Sequence, residues 1–325
     1  MRRPFLALLA AVPLVLAACG GGESETAPAA TGSASGAPAT TKVTVGVIPI
    51  VDVAPIYLGK DKGFFSKRGM ELELVQAQGG AAIVPAVLSG EYQFGFSNVT
   101  SLLLAKGRGL PLQVVAAGNS TTGDTKNDIG ALIVPGDSPI RTSADLTGKT
   151  VAINTAKNIS DTVVRESARK AGADPASIKF TELGFPDMPA AIAAKRVDAA
   201  FILEPFKSVA LKAGAREVAA PYADTSSDLL IAAYFTSTQT AQKSADLVTR
   251  FKEAMNESLT YAAANEGEAR QTLGTYTRID PALVAGLTLP KWSTEVSAAR
   301  MQRLADLALE DGLVTKPVPV AELFP

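Results

Sequence analysis

The chain has 325 residues, with 31 lysines and arginines against 32 aspartates and glutamates, one cysteine and no histidine. This charge balance leaves no electrostatic footprint for nucleic acid, and one cysteine leaves no disulfide framework. The absence of histidine removes the commonest general base, the imidazole metal ligand and every Ser–His or Cys–His nucleophile pair.

Arg2 and Arg3 precede an apolar run from Phe5 to Ala18 that ends in Leu16-Ala17-Ala18-Cys19-Gly20. A run of about 14 residues is shorter than the roughly 20 that a bilayer span requires, so residues 1–18 read as a cleaved secretion signal. Leu16-Ala17-Ala18-Cys19 resembles the lipobox of bacterial lipoproteins. The resemblance implies lipidation of Cys19 and anchoring to the cell membrane on its extracytoplasmic side. The paired arginines also resemble a twin-arginine export signal, but almost nothing precedes them, so the general secretory route ranks first. Residues 19–41 follow as an Ala/Pro/Thr/Ser/Gly tract without aromatics, which predicts a flexible tether with a reach of roughly 25 Å.

From Lys42 onward strand and helix signals alternate. Strands are expected at Val43–Ile48, Leu72–Val75, Tyr92–Phe96 and Leu112–Ala117, with helices at Pro55–Lys62, Ala81–Leu88 and Val99–Lys106. This is the βαβ pattern of a mostly parallel sheet with helices on its faces. The pattern then recurs, with strands at Thr150–Ile153, Ile178–Leu183 and Asp198–Leu203 and helices at Asp161–Ala171, Asp187–Lys195 and Phe206–Ala213. Leu88 to Phe96 can be laid on Ala193 to Phe201, each a helix end turning into a buried strand. Two similar lobes are therefore expected. Amphipathic helices at Ala241–Ala264, Glu268–Tyr276 and Thr294–Leu309 are expected to pack back on the first lobe.

Val43 to Val47 with Pro55 to Phe65, Leu88-Ser89-Gly90 and Phe94-Gly95-Phe96-Ser97 resembles the start of nitrate/sulfonate/taurine and thiamine-precursor binding proteins. Leu146 to Ile153 and Val197 to Phe206 resemble that family's second-lobe motifs, and the similarity runs in order from about residue 42 to 325. The resemblance implies an α/β two-lobed periplasmic-binding-protein fold of type II, with ligand in a cleft between the lobes and a two-strand hinge. It implies residues 42–133 plus 235–325 as a discontinuous lobe 1 and 134–234 as lobe 2, with crossings at Ala131–Pro135 and Leu229–Thr236. The implied role is a non-enzymatic, monomeric solute receptor that serves the permease subunits of an ABC importer.

Open parallel sheets bind ligands beyond the carboxyl ends of their strands, where helix amino-termini present unpaired N–H groups. That rule selects Asp52 in the first loop, which could instead satisfy a turn, and Tyr57 one helical turn later, which could face cleft or core. It also selects Gly80, with Gly79, for close backbone approach, then Ser97 and Asn98, of which one caps a helix, and Asn119 with Ser120 and Thr121. In the second lobe it selects Asn154, Thr155 and Lys157, ahead of a helix expected to be capped by Ser160 or Asp161. Glu204, a poor N-cap type, is expected to face the ligand; Phe206, Phe185 and Trp292 could stack on a ring or simply pack.

Asp52 and Glu204 together in a desolvated cleft would repel a sulfonate or nitrate and prefer N–H donors. The expected ligand is therefore a nitrogen-bearing molecule of the aminopyrimidine or vitamin-precursor type, with a sulfonate, taurine or nitrate receptor as the alternative. A membrane-tethered sensor stays open as a further class. Enzymes on a similar fold are disfavoured by the lipobox and the lack of histidine. No cofactor and no metal are expected.

Overall fold

The computed structural model describes residues 40–324. The signal over 1–18, Cys19 and the tether to residue 39 lie outside the described residues. The tether ends slightly earlier than expected, because Thr41 already pairs with Met70 in the first strand ladder.

In chain order the elements begin with β1 (Thr41–Val47), α1 (Ala54–Asp61), β2 (Met70–Gln76), α2 (Gly80–Ser89), β3 (Phe94–Asn98), α3 (Val99–Gly107) and β4 (Leu112–Ser120). Then come β5 (Gly130–Val134), β6 (Thr150–Ile153), α4 (Ile159–Lys170), β7 (Lys179–Glu182), α5 (Met188–Ala193), β8 (Ala199–Leu203), α6 (Phe206–Lys212), β9 (Arg216–Ala219) and α7 (Pro221–Thr225). The chain closes with β10 (Leu230–Ser237), α8 (Thr238–Lys243), α9 (Ala245–Ala264), α10 (Glu266–Tyr276), α11 (Pro281–Val284) and α12 (Ala298–Glu310). The helix expected over Ala241–Ala264 is interrupted at Ser244, which separates α8 from α9.

Two five-stranded sheets carry the molecule, in the orders β2-β1-β3-β10-β4 and β7-β6-β8-β5-β9. The orders are equivalent, and β3 and β8, the two segments whose sequences can be superposed, occupy the same place in each. In both sheets the fourth strand runs antiparallel to its neighbours, β10 against β3 and β4, β5 against β8 and β9. The sheets are thus mixed.

The expected crossing strands Ala131–Pro135 and Leu229–Thr236 fall largely in β5 and β10, each of which is laddered on both edges inside one sheet. Divisions at 133/134 and 234/235 cut through those ladders; the chain changes sheets at residues 121–129 and 220–229 instead. Asp128 organises the first changeover by accepting from the backbone N–H of Thr122 at 3.0 Å and of Ile129 at 2.8 Å, and from the Thr121 hydroxyl.

The first sheet is buried between helices. Long helix α9 points Leu247, Phe251, Ala254, Met255, Leu259 and Ala262 inward at helical spacing. Phe251 stacks on Phe94 with centroids 3.8 Å apart, and Tyr234 meets Phe96 edge-on at 5.3 Å.

Candidate ligand cleft between the two sheets

The loops at the carboxyl ends of β1, β3, β6, β7 and β8 converge between the sheets. They enclose a cavity of about 20 Å³ lined by Ile48, Ile50, Asp52, Phe96, Asn98, Asn154, Ile159, Ser160, Phe185, Leu203, Tyr222, Ile231 and Ala232. That is room for about one water molecule. Ile48, Ile50 and Phe185 also line a wider pocket of about 220 Å³, completed by Pro49, Gln76, Ala77, Gln78, Gly184, Pro186, Asp187 and Phe206. The inner space is polar at several points and the outer one is mostly apolar. Among the described residues no lysine or arginine lines either.

Helices α3 and α4 both begin at the inner cavity. Asn98 caps α3 by accepting from the Ser101 N–H at 2.9 Å, and Asn158 caps α4 by accepting from the Ser160 N–H at 2.9 Å. Each cap satisfies one of the four N–H groups that a helix start leaves without an intrahelical partner. The ends of two helix dipoles therefore give the cavity a partial positive charge without a basic side chain.

Direct contacts join the two sheets across the cleft. The Val51 N–H donates to the Glu204 carbonyl at 3.0 Å, and the Asn154 amide donates to the Gln78 carbonyl at 3.3 Å. Gly79 lies so close to the second sheet that a Cβ there would be 2.9 Å from Thr155 Oγ1 and 3.1 Å from Asn154 Nδ2. The cleft is closed down in this conformation. From the carboxyl-terminal region, the Tyr276 hydroxyl donates to the Ile50 carbonyl at 3.0 Å and Trp292 Nε1 to the Asp52 carbonyl at 3.3 Å, fixing the first loop from behind.

Asp52 is a strongly perturbed group in the cavity. It is 2% exposed, and its Oδ2 has no partner among the described residues. Burial pushes its carboxyl up to about 7; its own backbone N–H and nearby Asn119 pull the other way, and the charge of Asp128 adds to the rise. Asn119 is buried as well, with neither amide atom in a completed hydrogen bond.

A family model described as NMT1/THI5 like matches residues 50–269, more than half of the chain. The chain belongs to this family. The alkanesulfonate-binding protein SsuA from Xanthomonas axonopodis pv. citri, solved bound to MOPS, is 23% identical over 89% of this chain and 99% of that one, with a TM-score of 0.76. The periplasmic nitrate-binding protein NrtA from Synechocystis is 14% identical over 87% of this chain and 85% of that one, with a TM-score of 0.73. The fold is therefore that of periplasmic binding proteins. A nitrate/nitrite binding protein NrtA from Nostoc sp. is 49% identical over 53 residues, a stretch covering 15% of this chain and 12% of that protein's length.

In this member of the NMT1/THI5-like family, the cleft gathers some of the expected residues and leaves others outside. Asp52, Asn98 and Asn154 line the inner cavity and Phe206 the outer pocket. Gly80 accommodates Ser97, since a Cβ would fall 1.9 Å from Ser97 Oγ, and Ser97 itself donates to the Asn98 carbonyl at 3.2 Å. Thr155 faces Gly79 at the rim, and Lys157 is exposed with a left-handed backbone, φ 53°. Tyr57 stacks on Tyr276 at 4.0 Å and receives a 3.4 Å hydrogen bond from Gln76, outside both linings.

Glu204 departs furthest from expectation. Its carboxylate accepts from the Ser208 hydroxyl at 2.9 Å, the Ser208 N–H at 3.2 Å and the Thr288 N–H at 3.4 Å, and lies 3.5 Å from the Lys207 ammonium. It holds the start of α6 rather than lining the cavity. The helix α4 cap is Asn158, not Ser160 or Asp161, which leaves Ser160 on the cavity wall. Tyr222 also lines the cavity, from α7, a helix that the sequence did not reveal; Pro221 at its start was the available signal. Gln78, a polar residue between β2 and Gly79-Gly80, lines the outer pocket as well, and its place after a strand is the sequence signal for it.

Among the described residues no group of three or more His, Cys, Asp or Glu could hold a metal ion, and no helix is long and apolar enough to cross a membrane.

Proposed function

We propose that the protein is an extracytoplasmic solute receptor of an ABC importer, and that its ligand carries a sulfonate-like or nitrate-like oxoanion. The observation that carries this reading is the convergence of the α3 and α4 amino-termini, capped by Asn98 and Asn158, on one cavity. The positive ends of two helix dipoles favour an anion there even without arginine or lysine. The relatives named above, described as binding alkanesulfonate, nitrate or nitrite, support the same chemistry. The apolar outer pocket, with Ile48, Pro49, Ile50, Phe185, Pro186 and Phe206, suits an organic substituent and so favours a sulfonate over bare nitrate. The aminopyrimidine reading rests on Asp52 together with Glu204, and Glu204 lines neither space, although Asp187 lines the outer pocket.

A thermal-unfolding screen of the full chain against alkanesulfonates, nitrate, aminopyrimidines and purines tests this. A ligand at about a hundred times its dissociation constant adds about 2.7 kcal/mol, and an alkanesulfonate is expected to do so. Stabilisation by an aminopyrimidine and by no oxoanion overturns the reading.

The membrane attachment of this receptor rests on residues 1–19 of the sequence. Cys19→Ala is expected to shift the protein from the membrane to the soluble fraction while leaving ligand affinity unchanged. A wild-type protein that takes up no fatty-acid label at Cys19 refutes the anchor.

A further inference from the structure

Helix α12 follows β10 in the chain, and its anchorage is on the first sheet. At its start Arg300 donates to the Ser120 hydroxyl at 2.6 Å and to the Asp228 carbonyl at 3.1 Å, which ties it to the first-sheet ends of both changeovers. Beyond its end, Val314 and Val318 close on Gly107 at the finish of α3, where a Cβ would stand 3.3 and 3.4 Å from them.

From that anchorage α12 and the residue after it carry three charged side chains to α4, a helix of the second sheet. Arg303 donates to Glu166 Oε1 at 2.5 Å, Asp311 accepts from the Arg169 guanidinium, and Glu310 lies 3.1 Å from the same group. Glu166 is the hub, with a side chain 2% exposed, its second oxygen 2.6 Å from Arg169 and the Lys170 ammonium 3.7 Å from its first. Burial opposes its charged form, but the hydrogen bonds from Arg303 and Arg169 outweigh that and hold the carboxyl below its ordinary value. None of these residues lines the inner cavity or the outer pocket.

The division of partners decides what the network can do. Arg169 and Lys170 stand three and four residues along α4 from Glu166 and travel with it, whereas Arg303, Glu310 and Asp311 stay with the first sheet. Moving the sheets apart therefore removes the interhelical pairs without stranding Glu166 as an unpaired buried charge, the case that would weld the two helices together. The guanidiniums of Arg303 and Arg169 are 41% and 27% exposed, so water can take over their released donors.

We propose that the ion network between α4 and α12 is a closure latch, which acts outside the ligand cleft to hold the two sheets in the closed arrangement. It sets the fraction of molecules already closed before a ligand arrives, and the apparent affinity for any ligand of the closed state scales with that fraction. The proposal concerns the movement of the sheets and does not depend on which solute is bound. Pairs with this much exposure are screened by salt, so the latch loosens as ionic strength rises.

The deciding experiment measures the distance between two spin labels in the ligand-free full chain carrying Cys19→Ala, a change that leaves no native cysteine. Labels are attached at Glu71→Cys and Thr181→Cys, exposed positions on β2 and β7, the edge strands furthest in strand order from the changeovers. Arg303→Gln and Asp311→Asn are each expected to move population from the shorter to the longer distance, lowering the closed-to-open ratio up to about fivefold, the equivalent of about 1 kcal/mol for a partly exposed pair. Arg250→Gln, which breaks a pair with Asp246 inside α9 alone, is expected to leave the distribution unchanged. Raising salt on the unsubstituted latch is expected to reproduce the shift, and that measurement needs no latch variant to fold. An unchanged distribution in both folded variants and across the salt series makes the network a purely structural contact and overturns the latch. A shift to the shorter distance overturns it too, because the network would then be propping the sheets apart.

Discussion

Glu204→Gln is expected to lower the stability of the folded protein by about 3 kcal/mol while leaving ligand affinity near the wild-type value. The carboxylate is 1% exposed and faces two backbone N–H donors, one hydroxyl and an ammonium that is itself 5% exposed. Gln retains one acceptor oxygen, but it directs an NH₂ group toward the Ser208 or Thr288 donors and takes the charge partner from Lys207. Breaking one side of a buried pair costs about 3–5 kcal/mol. The lower end applies because Lys207 keeps the Asp128 carbonyl at 2.6 Å and the Thr288 hydroxyl at 3.4 Å. Denaturant unfolding and calorimetry on the same preparation separate the two effects. An affinity loss above about tenfold with unaltered unfolding places this carboxylate in the ligand site after all.

Gly79→Val is expected to weaken ligand binding by about 5- to 150-fold, the equivalent of about 1–3 kcal/mol of overpacking. The backbone at Gly79 is extended, with φ −177°, so valine is not strained by its own conformation. The conflict arises with the second sheet, where Thr155 Oγ1 and Asn154 Nδ2 stand 2.9 and 3.1 Å from the position of the new Cβ. The added bulk therefore acts on the closed arrangement, and a population shift toward an open one reduces affinity by the fraction of closed molecules lost. Unfolding of the ligand-free protein is expected to change little. Wild-type affinity in this variant refutes the idea that binding requires the 79–155 approach.

The two predictions differ in how far the sequence anticipates them. Gly79-Gly80 after a strand marks a close approach, but what approaches is a residue seventy-five positions away in the chain. Glu204 before Pro205 reads as a poor cap and therefore as a ligand contact, whereas its partners in the fold include the Thr288 N–H, which no local pattern connects to it. Tyr57, which the sequence leaves open between cleft and core, packs on Tyr276 of α10, a partner that no local pattern connects to it.

Local signals, by contrast, are carried by the period of the apolar residues and by the turn and cap types between them. They are sufficient to read the alternation of strands and helices, the recurrence of Leu88–Phe96 at Ala193–Phe201, and the loops in which Asp52, Asn98 and Asn154 stand. The period does not say which strand runs antiparallel between two others, so the changeovers at 121–129 and 220–229 had to come from the ladders of β5 and β10. The charge preference of the cleft was a tertiary matter for the same reason. Helix starts separated by some sixty residues in sequence meet at one cavity only when the sheets close on each other, and Glu204 is held by Lys207 and Ser208 through contacts of the folded chain.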